Sequence, residues 1–252
     1  MPEPATTRPP PTVEQVRTAL HRLFIDAANA GLRKEDEQKS RELAGLLARL
    51  ARLKKGAHLV DAAAGKASVG LIAAELLPLG SVTVIERAPA RVAACVSAAS
   101  RLQREVRVDV REGDVADPAL WPEAPDAVVA LHACGRASDG VIEGAIASRA
   151  GRVLVAPCCY DESVLARARS WAGVPSCLEA ADEPIRRRIL SSLVEVERTL
   201  RLEAAGFETR AEEFVAPTVT PHNLVLCGRR TLSEVRMARA SARLAALRGA
   251  GP

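Results

Sequence analysis

Leu59-Val60-Asp61-Ala62-Ala63-Ala64-Gly65-Lys66-Ala67 is the stretch on which the fold turns. A short apolar strand, His58–Asp61, ends in an acid, passes through small residues and enters a helix over about Lys66–Leu77. Small side chains let a backbone come close to a ligand, and the free N–H groups at a helix start attract an anion. In open α/β sheets, ligands sit beyond the carboxyl ends of the strands. A tight strand-to-helix turn gives the same pattern without any ligand. The segment also holds one glycine where a dinucleotide fingerprint has three.

Downstream, strands and helices alternate, the signature of a parallel sheet. Strands are predicted at Ser81–Glu86, Val106–Val110, Asp126–Leu131 and Arg152–Ala156, with helices from Pro89 to about Leu102 and from about Ser138 to Ala150. Proline suits the first turn of the earlier helix. A long insert follows, with a helix over about Pro184–Ala205 that Asp182 can cap and whose stripe is Ile185, Ile189 and Leu193. Phe207–Val215 and Asn223–Arg229 read as two strands joined by a Pro-rich loop, an antiparallel hairpin, and a helix over Thr231–Leu247 comes after them.

Upstream, residues 1–12 are rich in Pro and Thr and are expected to be disordered. Val13, Val16, Leu20 and Phe24 predict an amphipathic helix over Val13–Ala30, stopped by Gly31. A second helix is expected over about Lys34–Leu53, with Leu43, Leu46, Leu47 and Leu50 on one face and Glu35, Asp36 and Glu37 favouring its start. The expected organisation is a tail at 1–12, N-terminal helices at 13–54, an α/β domain at 55–230, and a helix and tail at 231–252.

The chain of 252 residues is long enough to bury a proper core. Its formal net charge of +4 permits an anionic partner such as RNA without requiring one. Much of the excess lies between Arg229 and Arg248, where a solvated helix face is the plainer explanation. Six cysteines occur, none in a CxxC pair, no apolar run reaches bilayer length, and no signal peptide is expected. Reduced thiols in a cytoplasmic protein, with no membrane association, are therefore expected.

Chemistry is concentrated at the strand ends. Glu86 closes the second strand about 20 residues after the first loop, the offset at which an acid can accept from both ribose hydroxyls, or simply be a solvated charge at a strand end. Glu112-Gly113-Asp114-Val115 follows the third strand; its carboxylate can accept from an adenine amino group or simply close a turn. The fourth strand ends Leu131-His132-Ala133-Cys134-Gly135 and runs on to Asp139, and the fifth ends Ala156-Pro157-Cys158-Cys159-Tyr160. If these strands are neighbours, His, Cys and Tyr side chains share one cleft.

The acid–small–Gly loop, the acid ending the second strand and the final hairpin resemble class I S-adenosylmethionine (SAM)-dependent methyltransferases, over about residues 37–230. Leu-His-Ala-Cys-Gly…Asp and Pro-Cys-Cys-Tyr resemble, more narrowly, the group that holds the glutathione-S-transferase C-terminal-domain-containing and methyltransferase-like 25 proteins. The enzyme that 2′-O-methylates the tRNA acceptor stem is a more distant likeness. Gln38-Lys39 and Thr220-Pro221-His222-Asn223-Leu224 match that group too.

The resemblance implies a Rossmann-like α/β fold: a central, mostly parallel seven-stranded sheet with a terminal antiparallel hairpin, plus N-terminal helices. It implies SAM as cofactor and an unidentified acceptor, with RNA slightly favoured. Asp61 and Gly65 would lie along the methionine part, Glu86 would hold the ribose and Asp114 would face the adenine. Ala63, Lys66, Arg87, Val115 and Leu131 would complete the cofactor lining, together with His132. His132, Cys134, Asp139, Pro157, Cys158, Cys159 and Tyr160 would form the methyl-transfer side. Ala63 stands where many relatives carry glycine, which narrows the room at the cofactor.

His132 is the best-placed titratable base, should the acceptor have to lose a proton. Tyr160 can position or stack on an acceptor, or simply pack. His132, Cys134, Cys158 and Cys159 are zinc-ligand types, but adjacent cysteines diverge in extended chain, so no metal is expected. A silent SAM-fold module that binds RNA or protein is the alternative function. A nucleotide-dependent oxidoreductase is disfavoured by the missing glycines and by the hairpin.

Overall fold

Residues 9–25 and 33–249 are described in the computed structural model. The apolar runs become β1 (Ala57–Ala62), β2 (Leu79–Glu86), β3 (Arg107–Glu112), β4 (Ala127–Leu131) and β5 (Arg152–Ala156). Two further strands, β6 (Phe207–Glu213) and β7 (Leu224–Arg230), complete a seven-stranded sheet of order β3-β2-β1-β4-β5-β7-β6. β1 to β5 pair in parallel, and β7 runs antiparallel to both β5 and β6. This is the Rossmann-like arrangement expected, hairpin included. The chain builds outward from β1 in one direction and from β4 in the other, so the switch point lies where the tips of β1 and β4 meet.

Helices cover both faces, which is why β4 is buried throughout. On one face lie α1 (Val13–Leu20), α2 (Lys34–Leu50), α3 (Ser68–Leu76) and α4 (Pro89–Ala99). On the other are α5 (Arg136–Ala147) and the end of α7 (Glu183–Ala204). Leu43, Leu46, Leu47 and Leu50 of α2 are fully or almost fully buried. Each such side chain contributes about 1.5–3 kcal/mol, far above any helix-propensity difference, so packing fixes the position of α2. Between β5 and α7 the insert adds α6 (Glu162–Arg169), which the sequence reading left unassigned; Asp161 caps it by accepting from the Val164 N–H at 3.0 Å. α8 (Glu234–Arg248) lies along α7.

Three expectations need correction. Thr12, assigned to the disordered tail, instead closes a capping box with Gln15 and starts α1; residues 1–8 of that tail lie outside the described residues. The first helix is α-helical only to Leu20, followed by a π-helical turn over His21–Ile25, and its expected continuation to Ala30 and stop at Gly31 fall outside the described residues. On α7, Ile185 and Ile189 are exposed, and Leu190, Val194, Arg198 and Leu202 are buried instead. The first half of α7 packs on α6, on Trp171 and Leu178 after it, and on Leu247 of α8, so the inward face is the one carrying Leu190 and Val194. Asp182 occupies the N-cap of α7 without making a side-chain bond.

Candidate active site

The loop after β1 is tied down by two buried carboxylates. Asp61 accepts the Gly70 N–H at 2.7 Å, fixing the start of α3 against the strand it leaves. Gly70 is required there, since a Cβ would stand 2.9 Å from the Asp61 Cβ. Glu86 accepts the Gly65 N–H at 2.7 Å through one oxygen and the Ala88 N–H at 2.9 Å through the other. Asp61 and Glu86, on adjacent strands, thus serve one loop, and their charges act on each other. Burial pushes the Asp61 carboxyl up to about 7; the Gly70 N–H and Lys39 oppose this, and Glu86 adds to it.

The same loop is strained. Ala63, Gly65 and Ala67 have φ of 51°, 61° and 56°. Gly65 adopts this freely, and a Cβ built on it meets nothing within 4 Å, so the loop faces open space at that point. For an alanine, left-handed backbone costs ~1–2 kcal/mol, against ~0.5–1 kcal/mol for the greater unfolded-state freedom of glycine. Ala63→Gly is therefore expected to stabilise the protein by about 0.5–1 kcal/mol, read as a higher midpoint in thermal unfolding. A lower midpoint would contradict the assigned backbone.

Around this slot, Asp114 accepts the Ala116 N–H at 2.9 Å and lies 3.8 Å from Arg87, at an exposed edge. Val115 is buried against the α5 face, Leu131 is buried in the core on the opposite face, and Lys66 is exposed.

His132, at the end of β4, has φ of 62°, and its N–H donates to the Ala156 carbonyl at the end of β5. Its Nε2 lies 3.0 Å from a carboxylate oxygen of Glu42 on α2, and Glu42 also accepts from Gln38. Burial pushes the Glu42 carboxyl up, but the hydrogen bonds from His132 and Gln38 outweigh it and hold it below its ordinary value. An ionised Glu42 only accepts, so Nε2 is the donor in this bond, and in the neutral ring the lone pair falls on Nδ1. Lys39, one turn earlier on α2, lies in the field of Glu42, Asp61 and Cys158, with its ammonium held below the ordinary lysine range by burial. Neither Lys39 nor Glu42 had an expected role, although Lys39 belongs to the Gln38-Lys39 pair that matches the family pattern. The available signal was polarity at positions that continue the Leu43, Leu46 and Leu50 stripe.

Cys134, Cys158 and Cys159 do not diverge: their sulfurs all lie within 4.8 Å of one another, which corrects the argument used to discount them as a ligand set. Partial desolvation raises all three thiols above the ordinary value, although Cys134 and Cys159 remain exposed. The β4 and β5 tips are laced together here by the Gly135 N–H donating to the Cys159 carbonyl. Tyr160 donates to Glu195 of α7 at 3.0 Å, and burial, then Glu195, raises its phenol. Asp139 does not join the thiols. It faces α6 and α7, where Arg198, Arg167 and Arg201 donate to it at 2.9, 2.8 and 3.3 Å. Arg198, fully buried, also donates to Glu195 and to the Gly135 carbonyl, and lies 5.7 Å from the Tyr160 ring centre. Beside Tyr160, a groove of about 200 Å³ is lined by Pro157, Glu195, Thr199, His222 and Asn223. This brings the Thr220–Leu224 segment to the same rim.

Residues 35–164, half of the chain, match the family described as Methyltransferase domain. The glutathione S-transferase C-terminal domain-containing proteins of Homo sapiens and Macaca fascicularis are each 25% identical over 205 residues, covering 69% of this chain and 30% of theirs. The chain thus spans under a third of the length of these curated relatives. Among solved structures, the YcgJ protein of Bacillus subtilis aligns with a TM-score of 0.51 at 11% identity, covering 75% of this chain and 98% of that one. The cyclase SpnF aligns with a TM-score of 0.51 at 18% identity, covering 90% and 99%. At such identities the likeness is one of fold.

Proposed function

The chain belongs to the methyltransferase-domain family, and on that basis we propose that it moves the methyl group of SAM onto an acceptor held where β4 and β5 end. One observation carries this reading: Glu86, a buried carboxylate at the tip of β2, lies beneath a small-residue loop that faces open space at Gly65. Two of the roughly four lone-pair sites of Glu86 are used by backbone N–H groups. The rest fit a pair of ribose hydroxyls, and the residues present therefore suit the cofactor.

When bound, SAM supplies a methyl group already activated by its sulfonium. The protein has to hold the acceptor in line, and orientation of this kind can supply ~7–11 kcal/mol of a barrier. Glu86 binds the ribose, Asp61 and the start of α3 face the methionine part, and Asp114 takes the adenine amino group. Glu42 holds the His132 ring with Nδ1 free to remove a proton from the acceptor. Tyr160 and the adjoining groove seat the acceptor.

RNA is the first acceptor class to test. Arg239 and Arg243 are exposed on α8, whereas Arg236 is paired with Glu203 and Glu208, and Arg248 with Glu197. Among the described residues no helix is long and apolar enough to cross a membrane. The deciding experiment is transfer of radiolabelled methyl from SAM into fractionated RNA, protein and metabolite pools. Label should enter one pool and fall sharply with His132→Asn. SAM binding without label in any pool would favour the silent module.

Asp61 gives this reading a pH signature. With its carboxyl near 7 in the free protein, it is largely protonated at pH 6. A cationic ligand favours the ionised form, so binding releases a proton below about pH 7. SAM affinity is expected to rise about tenfold from pH 6 to 8, flattening above 7, with the slope absent in Asp61→Asn. Calorimetry in buffers of different ionisation enthalpy measures the proton directly. Uptake, or no proton exchange, would count against an ammonium near Asp61.

A further inference from the structure

We propose that Cys134, Cys158 and Cys159 form a zinc site, a three-thiolate cradle whose fourth coordination position opens to solvent beside the acceptor groove. The sulfurs of Cys134 and Cys158 approach to 2.8 Å, those of Cys158 and Cys159 to 3.8 Å, and all three lie within 4.8 Å. Zinc–sulfur bonds of about 2.3 Å in a tetrahedron require sulfurs about 3.8 Å apart. The Cys158–Cys159 spacing matches that value and the Cys134–Cys158 spacing is 1.0 Å shorter, so small side-chain rotations bring all three sulfurs onto one ion.

The cradle is prearranged by the fold. Cys134 follows β4, and Cys158 and Cys159 follow β5, its parallel neighbour. Arg198 holds the Gly135 carbonyl at 2.9 Å, the Gly135 N–H meets the Cys159 carbonyl, and Arg187 donates to the Tyr160 carbonyl at 2.6 Å. Together with the His132 N–H that meets the Ala156 carbonyl ahead of the thiols, these bonds hold the chain before and after the cysteines before any ion arrives, as metal sites built on rigid elements require.

Two other roles for the thiols fit less well. Buried cysteine packs as a small apolar group, but Cys134 and Cys159 are exposed. A disulfide would use only two of the three sulfurs. Thiolate ligands select soft ions, and three protein ligands with an open position is the pattern of reactive zinc rather than structural zinc. Three thiolates on a divalent ion leave one negative charge, and the Lys39 ammonium lies in the field of Cys158 to balance it. The site is independent of the methyl-transfer reading, since it would bind metal whether or not SAM binds.

Cobalt(II) is the probe. Added to reduced, metal-free protein, it should bind one ion per chain, with a strong thiolate-to-cobalt charge-transfer band and the visible bands of a tetrahedral ion; zinc should bleach both. Cys158→Ser should lower the intensity of the charge-transfer band, which scales with the number of thiolates on the ion, and weaken binding. Cys134→Ser and Cys159→Ser should each weaken binding by roughly tenfold or more. Cys177→Ser, at an exposed thiol outside the cluster, should change nothing. Circular dichroism melts verify that each variant folds, and competition of the unmodified protein with a chromophoric chelator gives zinc affinity without any variant. The proposal is overturned if the unmodified reduced protein gives no charge-transfer band, if the band keeps its full intensity in folded Cys158→Ser, or if zinc loses to a weak micromolar chelator.

Discussion

Arg198→Met is expected to destabilise the protein by about 3 kcal/mol, near the lower end of the ~3–5 kcal/mol lost when one partner of a buried ion pair is removed. Arg198 is fully buried and donates to Asp139, Glu195 and the Gly135 carbonyl. Its loss strands Glu195 with only Tyr160 and leaves the Gly135 carbonyl without that donor. Asp139 keeps Arg167 and Arg201, which is why the lower end applies. At roughly 2–4 °C per kcal/mol for a chain of this size, the melting midpoint should fall by about 6–12 °C. Methionine keeps most of the volume, so the loss reports the polar network rather than a cavity. Adding Glu195→Gln should restore about 1 kcal/mol by removing the stranded charge. A loss under about 1 kcal/mol in urea unfolding would mean that this cluster does not hold α7 to the β4 tip.

Glu86→Ala is expected to weaken SAM binding about a hundredfold. Two ribose hydroxyls donating to a carboxylate are worth ~1.5–3 kcal/mol each, and 1.4 kcal/mol is a factor of about ten. Glu86→Gln keeps one acceptor oxygen and should lose only about tenfold. Because Glu86 anchors Gly65 and Ala88 through separate oxygens, glutamine gives up one of these anchors too, and the melt of each variant reports loosening of the loop separately from loss of the ligand contact. Calorimetry with SAM and with its demethylated product is the measurement. A change of about threefold or less in the alanine variant, with its melt intact, would remove Glu86 from the ribose role.

The strands and the candidate residues at their tips were legible because the signals are local. An acid at a strand tip, small residues in the next turn and a helix start occupy consecutive positions, so Asp61, Gly65 and Glu86 could be singled out from order alone. Pairing partners are not local. Glu42 meets His132 across 90 residues and Arg198 meets Asp139 across 59, and periodicity says which face of a helix is apolar without saying what will cover it. Ile185 and Ile189 show the same limit: they form a regular stripe, yet α6 covers the neighbouring face. The thiols were misjudged for a related reason. Side chains of adjacent residues diverge in a strand, but Cys158 and Cys159 lie past the end of β5, where the chain is free to turn both toward Cys134.

The reversed direction of β7 also bears on how such a protein can diversify. Val155 pairs with Leu226 and Arg152 with Arg229, so the connection from β6 to β7 emerges at the end of the sheet where β5 finishes. A final strand running the other way would have sent that connection to the far edge. Six turns of separate origin therefore converge on one margin, while the hydrogen-bonded ladder lies behind them. Insertions and deletions in those turns can alter what is admitted without shifting a single rung, so relatives of common ancestry can part ways in cargo long before they part ways in architecture.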